Sequence, residues 1–179
     1  TTGVHNHITA TAMVILSENG ESHFIVSIDW GWWQGIKDDL LIRGAIIREL
    51  GINENQLLLH LTHTHAGPTT SSDVAELEGG QSAIEYHSVA IGEIVSACRQ
   101  ALAESVLVDV TWGYGKCALA VNRDLPCGSE DIVAFNPNQP ADDTLAVARI
   151  SDLNSKTIGI IINYACHPTT LAWDNSLAS

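Results

Sequence analysis

Basic residues are what this sequence has least of. Its 179 residues hold 8 Lys and Arg against 21 Asp and Glu, a net charge of −13 with the histidines neutral. Binding a phosphate backbone takes clustered cations that displace counterions, and eight scattered ones form no such cluster, so nucleic acid is excluded as a partner. An anionic membrane surface would repel the chain for the same reason, although a neutral lipid stays open as a substrate. No apolar run reaches the roughly 20 residues that cross a bilayer, so no transmembrane segment is expected. The N-terminus, TTGVHNHITATAMVIL, has neither a basic start nor a small-residue cleavage site and shows no signal peptide. It also lacks an initiator Met, which suggests a processed or trimmed piece. Cys98, Cys117, Cys127 and Cys166 contain no CxxC pair, so neither a zinc knuckle nor a dense disulfide framework is expected. No internal repeat or low-complexity tract is present, and the compartment stays open.

What the sequence does have is apolar residues, 45% of the total, enough to give one domain, residues 1–179, a real core. ITATAMVILSENGESHFIVSIDW reads as two strands joined at Asn19-Gly20, a strong hairpin signal. The second strand delivers Asp29 to its end, followed by the unusual WGWWQG. KDDLLIRGAIIREL reads as a helix with Asp38 and Asp39 in its first turn and Arg48 in its last, as the helix dipole favours, and Gly51 stops it. QLLLHL then reads as a short strand buried on both faces. Residues 67–80 read as loop, and SAIEYHSVAIGEIVSACRQALAES as the longest helix, with Ile84, Ile91, Ile94, Cys98 and Leu102 on one stripe. Strands are expected at VLVDVTWGYG, ALAVNR, TLAVARISD and TIGIIINYACH, with a Pro/Asn/Asp loop from Cys127 to Asp143. The closing LAWDNSLAS shows no helix or strand. This order predicts an α/β fold of mixed β-sheet covered by helices.

The histidines carry the chemistry. His5, His7 and His23 alternate with apolar residues near the hairpin and read as solvent-face positions. His60 reads as packed inside its strand, and His87 as a hydrogen-bonded boundary histidine on the long helix. His63 and His65 differ, because they stand where a buried strand gives way to a loop, and α/β folds place their chemistry there. In extended backbone residues i and i+2 face the same side, so both imidazoles can enter one pocket. Zinc accepts such nitrogens at about 2.0–2.1 Å. TIGIIINYACHPTT offers a second apolar strand ending in a histidine, His167, which with His63 makes a shared metal the expectation, at the ends of neighbouring strands. Cys166 should point the other way, into the core. Arg123, in ALAVNRDLP, reads either as a surface partner of Asp124 or as a cation for a carbonyl oxygen becoming an oxyanion.

LTHTHAGP, VNRDLP and NYACHPTTL, in that order, resemble the neutral/alkaline (non-lysosomal) ceramidase family, in particular its N-terminal catalytic region. The KDDLLIRGAIIRELGI helix is similar too, and the resemblance covers nearly all of the chain. It implies that His63 and His167 are zinc ligands, that His65 is a neighbouring active-site histidine acting on the scissile amide, and that Arg123 is the active-site arginine. The implied reaction is zinc-assisted hydrolysis of a small-molecule or lipid amide, N-acylsphingosine giving sphingosine and a fatty acid, in a secreted or periplasmic setting. The family's further zinc ligands, a Glu and a Tyr, and its active-site Ser would fall beyond Ser179. The expectation is therefore an incomplete portion of a larger catalytic domain, inactive alone with two zinc ligands, its uncovered apolar sheet inviting self-association.

Two other readings compete. An amidohydrolase barrel also uses a His-x-His pair, but it places that strand first and alternates strands with helices afterwards, and a metallo-β-lactamase-like site would want an Asp-His where Ala66-Gly67 stands. The third reading is a non-catalytic fragment that binds metal weakly or not at all.

Overall fold

A computed structural model of the chain describes residues 2–169 and 175–179. They fall into two compact units, one comprising the chain up to Ser105 together with Pro168–Ser179, the other Val106–His167.

The first unit begins with a two-residue strand, β1 (Gly3–Val4), followed by the hairpin β2 (Ala10–Leu16) and β3 (Ser22–Ile28). Gly20 sits at φ 83° in the turn between β2 and β3, a conformation that glycine adopts without penalty. Helix α1 (Ile36–Leu50) carries Asp38 and Asp39 in its first turn and ends on Gly51 at φ 68°, whose amide reaches back to the Arg48 and Ile47 carbonyls. Strand β4 (Leu57–Leu61) then lies parallel to β3, while β2 is antiparallel to it. The sheet order β2-β3-β4 makes β3-α1-β4 a crossover unit, which needs a connecting helix of this kind.

Alternation sorts this sheet into a dry face and a wet one. Phe24, Val26 and Ile28 of β3 pair with Leu57, Leu59 and Leu61 of β4, and the first five of these are buried. Ile42 and Ile46 of α1, and Ile94, Val95 and Cys98 of α2 (Gly80–Ala103), close over them in one cluster. The expected double burial of β4 is corrected here. Leu58 is 60% exposed and His60 lies on the same outward side, because helices cover one face of the sheet only. His60 meets Ser27 there, Nδ1 to Oγ at 3.3 Å.

Two further corrections concern chain segments of the first unit. The loop after β4 contains a short 3-10 turn at Asp73–Glu76. The C-terminal stretch does hold a strand, β10 (Leu177–Ala178), parallel to β1; Thr170 to Asp174, including the end of the NYACHPTTL motif, lie outside the described residues.

The second unit is all strand. β5 (Val108–Lys116), β8 (Thr144–Asp152) and β9 (Thr157–Tyr164) form an antiparallel sheet in the order β5-β8-β9, and β6 (Asp124–Cys127) pairs with β7 (Glu130–Val133) as a hairpin. Residues 117–123 carry no strand, against the expectation for ALAVNR, and the β6–β7 hairpin occupies part of the expected loop. Asn122 accounts for the shift. Its side-chain oxygen accepts the Asp124 amide at 3.0 Å, a local turn that competes with a ladder. Strand β9 is exposed rather than buried, with Ile158, Ile160 and Ile162 at 49%, 57% and 65%.

Across both units the described architecture is α/β with mixed sheet, as the sequence predicts. Among the described residues no helix is long and apolar enough to cross a membrane.

Candidate metal centre

The histidine loop is built from the ends of β3 and β4. Asp29, just past β3, accepts hydrogen bonds from the Thr9 amide (2.9 Å), the Thr9 hydroxyl (2.6 Å) and the Thr62 hydroxyl (3.2 Å). One carboxylate thus ties the entry to β2 and the exits of β3 and β4, and Asp29 lies outside the group of side chains that could share a metal. The Thr62 and His63 amides donate to the Ile28 and Trp30 carbonyls at 2.9 Å each, extending the pairing two residues beyond β4.

At His63 the backbone then turns left-handed, with φ 64°. A non-glycine side chain rarely holds that conformation, and such strain gathers where surrounding contacts impose it. This overturns the extended i, i+2 geometry expected of the pair. The imidazoles of His63 and His65 still meet, with centroids 5.0 Å apart and rings inclined at 78°, but the turn brings them together. Gly31 permits the close approach, since a Cβ there would stand 3.1 Å from the Thr64 carbonyl oxygen. Ser179 closes the loop from its other side, with the Thr64 hydroxyl donating to the Ser179 carbonyl at 2.6 Å and the Ser179 amide donating to the Ala66 carbonyl at 3.2 Å.

Trp32 is the functional candidate that sequence reasoning missed. Its ring lies 5.4 Å from His63 and 5.3 Å from His65, centroid to centroid, and it is 45% exposed. WGWWQG stood out as unusual, but no spacing rule assigns a tryptophan to a histidine pair. Beside it is a hollow of about 180 Å³, lined by Trp32, Gln34, His65 and the Gly67–Thr70 segment among others.

His63, His65 and His167 each offer one ligand atom, and these atoms all lie within 4.8 Å of one another. Among the described residues no other group of three His, Cys, Asp or Glu side chains is so arranged. Tetrahedral zinc with nitrogen ligands at about 2.0–2.1 Å separates those nitrogens by roughly 3.3 Å, so the set needs only a small side-chain closure to fit that ion. Imidazole nitrogen is also the donor chemistry zinc takes. His167 stands three residues after β9, not at a strand end, and β4 and β9 belong to different sheets, which corrects the expectation of neighbouring strands. His65 was expected beside the metal and stands within the donor group. His60 and His87 lie outside it. Cys166 is half-buried, its thiol 3.8 Å from the His167 carbonyl, and all four cysteines are free.

Arg123 lines a hollow of about 300 Å³ in the second unit, with Asn122, Asp124, Pro140 and Asp142 among its neighbours. The guanidinium is exposed and makes no ion pair with Asp124 or any other described residue. A backbone hydrogen bond from Ala134 to the Arg123 carbonyl (2.9 Å) fixes this stretch against the chain after β7. Asp142 in the same wall has its carboxyl held below the usual range by the Thr144 amide.

The chain superimposes over all of its length on the neutral ceramidase of Pseudomonas aeruginosa, with a TM-score of 0.75 and 25% identity, and covers 29% of that chain. A solved structure of a ceramidase complexed with C2 matches with the same score, identity and coverage. No family model and no curated protein sequence matches. The resemblance to the ceramidase family carried by the three motifs therefore holds in three dimensions, over a chain that spans 29% of the length of the solved ceramidase.

Proposed function

We propose that this chain, similar over its whole length to part of a neutral ceramidase, holds zinc on His63, His65 and His167 and serves the hydrolysis of an amide. The likeness favours N-acylsphingosine as substrate. The observation that carries the proposal is the cluster of three imidazoles with ligand atoms within 4.8 Å. Three protein ligands and one open position is the usual make-up of a catalytic zinc site. The resemblance supplies two of them, His63 and His167, and His65 brings the count to three, so a shortage of ligands no longer argues for inactivity.

Bound there, zinc would acidify a water toward neutral pH and act as a Lewis acid toward a carbonyl oxygen. The chain's own residues set the surroundings. Trp32 walls one side of His63 and His65 with an apolar ring, leaving less room for bulk water near them, and the hollow beside His65 gives a small polar group a place to sit. Arg123 is assigned the developing negative charge on the carbonyl oxygen. Its exposed, unpaired guanidinium is free to donate, and removal of one such donor costs about 10²–10³ in rate.

The test has two arms. Zinc titrated into the chelator-treated chain should bind one per chain, with each of His63→Ala, His65→Ala and His167→Ala weakening it. Zinc-dependent cleavage of N-acylsphingosine and short N-acyl amines should follow, should vanish in His63→Ala, and should fall in Arg123→Ala while zinc stays bound. Zinc bound without any cleavage would overturn the amidase reading and leave the metal reading standing. No zinc binding would overturn both.

A further inference from the structure

A second histidine environment lies outside the donor group. His87 interrupts the apolar stripe of α2 and is 3% exposed. Its Nε2 stands 2.8 Å from the Thr69 carbonyl oxygen. A carbonyl only accepts, so Nε2 carries the hydrogen in this contact, and Nδ1 is buried without a partner among the described residues. The contact therefore assigns the hydrogen to Nε2 and leaves Nδ1 as the ring nitrogen without one, the Nε2–H tautomer.

What His87 touches leads to the donor histidines by two routes. The residue after Thr69 is Thr70, 2% exposed, whose hydroxyl donates to the Trp32 carbonyl at 2.7 Å. The Trp32 ring in turn rests against both His63 and His65. On its other side His87 meets the edge of Trp30 at 5.9 Å between centroids, and the Trp30 carbonyl accepts the His63 amide at 2.9 Å. Trp30 itself is fully buried and is also packed edge-on by Trp33 and Tyr86. Thr69 and Thr70 line the hollow beside His65. The rest of the stripe in this helix, Ile91, Ile94, Val95 and Cys98, packs against the sheet core, whereas His87 is the one buried position of α2 with a polar group aimed at the loop.

We propose that His87 is a positioning residue. It clamps the 64–70 loop to α2 through Thr69, and so holds Trp32 and the left-handed turn at His63 in the arrangement that places His63 and His65 together. The contact stands on geometry alone. Its consequence for metal affinity rests on the zinc reading above.

Three measurements test it on the full chain. In the unmodified protein, imidazole nitrogen NMR should show His87 as the Nε2–H tautomer with a proton protected from exchange; the Nδ1–H tautomer would overturn the proposal without any variant. Hydrogen exchange on the metal-free protein follows. His87→Leu should speed exchange of the amides between Thr64 and Ser71 by about 10-fold or more, against unchanged β3 and α1 amides, and His87→Gln, which keeps an N–H donor, should restore protection. A uniform rise across the chain, or identical behaviour of the Leu and Gln variants, would reduce His87 to a packing residue. In zinc titrations, His87→Leu should weaken binding by about 10–100-fold and His87→Gln by much less, as for residues that orient metal-holding side chains. If the unmodified chain binds no zinc, the metal reading fails while the tautomer and exchange measurements still decide the role of His87.

Discussion

Strands β3 and β5 follow the same rule and end in opposite surroundings. Phe24, Val26 and Ile28 of β3 are 3%, 0% and 2% exposed, whereas Val110, Trp112 and Tyr114, equally alternate in β5, are 50%, 59% and 79% exposed. Both strands run period two with large apolar residues on one side. The difference is cover. Helices α1 and α2 close over β3 in the first unit, while the second unit contains strands and no helix among its described residues. Alternation tells which residues share a face, and only another layer decides whether that face is dry.

Truncating one tryptophan in each unit should separate the two sheets most widely. Trp30→Ala removes a fully buried ring that also carries the contacts to His87, and it should cost about 3–5 kcal/mol in a urea unfolding series. Trp112→Ala, at 59% exposure, should change stability by about 0.5 kcal/mol or less. Equal costs would mean that the β5 face is covered in solution.

A smaller effect is expected at Asp29. Asp29→Ala abolishes three hydrogen bonds to Thr9 and Thr62, and a loss of about 1–3 kcal/mol should appear, since the bonds lost are to a charged group. Full stability in this variant would show that the histidine loop is held by its backbone pairing and by Ser179 instead.

The cysteines sharpen the contrast without changing the sequence. Burial pushes the Cys98 thiol up from 9.0 to about 11, and the side chain is inaccessible, so an alkylating reagent at pH 8 should label exposed Cys127 and leave Cys98 unmodified until the protein unfolds. The sign of the pH effect follows. Between pH 9 and 11 the folded thiol keeps a proton that the unfolded one gives up, so stability from this group is intact below about 9 and declines as pH rises toward 11. Labelling of Cys98 at the rate of Cys127 would place α2 in an open state. The smallest change belongs to β9, where Ile160→Lys and Ile162→Lys, at exposed positions of an edge strand, should leave the unfolding midpoint in place while lowering self-association in sedimentation runs.

Much of the first unit was legible because its signals are local. Asn19-Gly20 marks a turn, and Gly51 ends a helix with acidic residues at its start and Arg48 at its end; each acts through its own backbone neighbourhood. The errors share a different cause. The Leu57–Leu59 run suggests burial on both faces, yet Leu58 faces outward since the helices lie on one side only. ALAVNR has strand-like alternation, but Asn122 turns the chain and the ladder forms one residue beyond Arg123. His63 and His65 were singled out by position, and their meeting was foreseen from an extended geometry that the left-handed turn replaces. Trp32 and His87 could not be assigned from sequence, because each acts on the histidine loop through contacts between segments separated by more than 15 residues.

X-ray absorption of the zinc-loaded chain decides whether three imidazoles share one zinc ion. Three nitrogen scatterers should appear at about 2.0–2.1 Å with the outer-shell pattern of imidazole, falling to two in each of His63→Ala, His65→Ala and His167→Ala. One zinc surrounded by oxygen alone, or an imidazole count that His65→Ala or His167→Ala leaves unchanged, would contradict it.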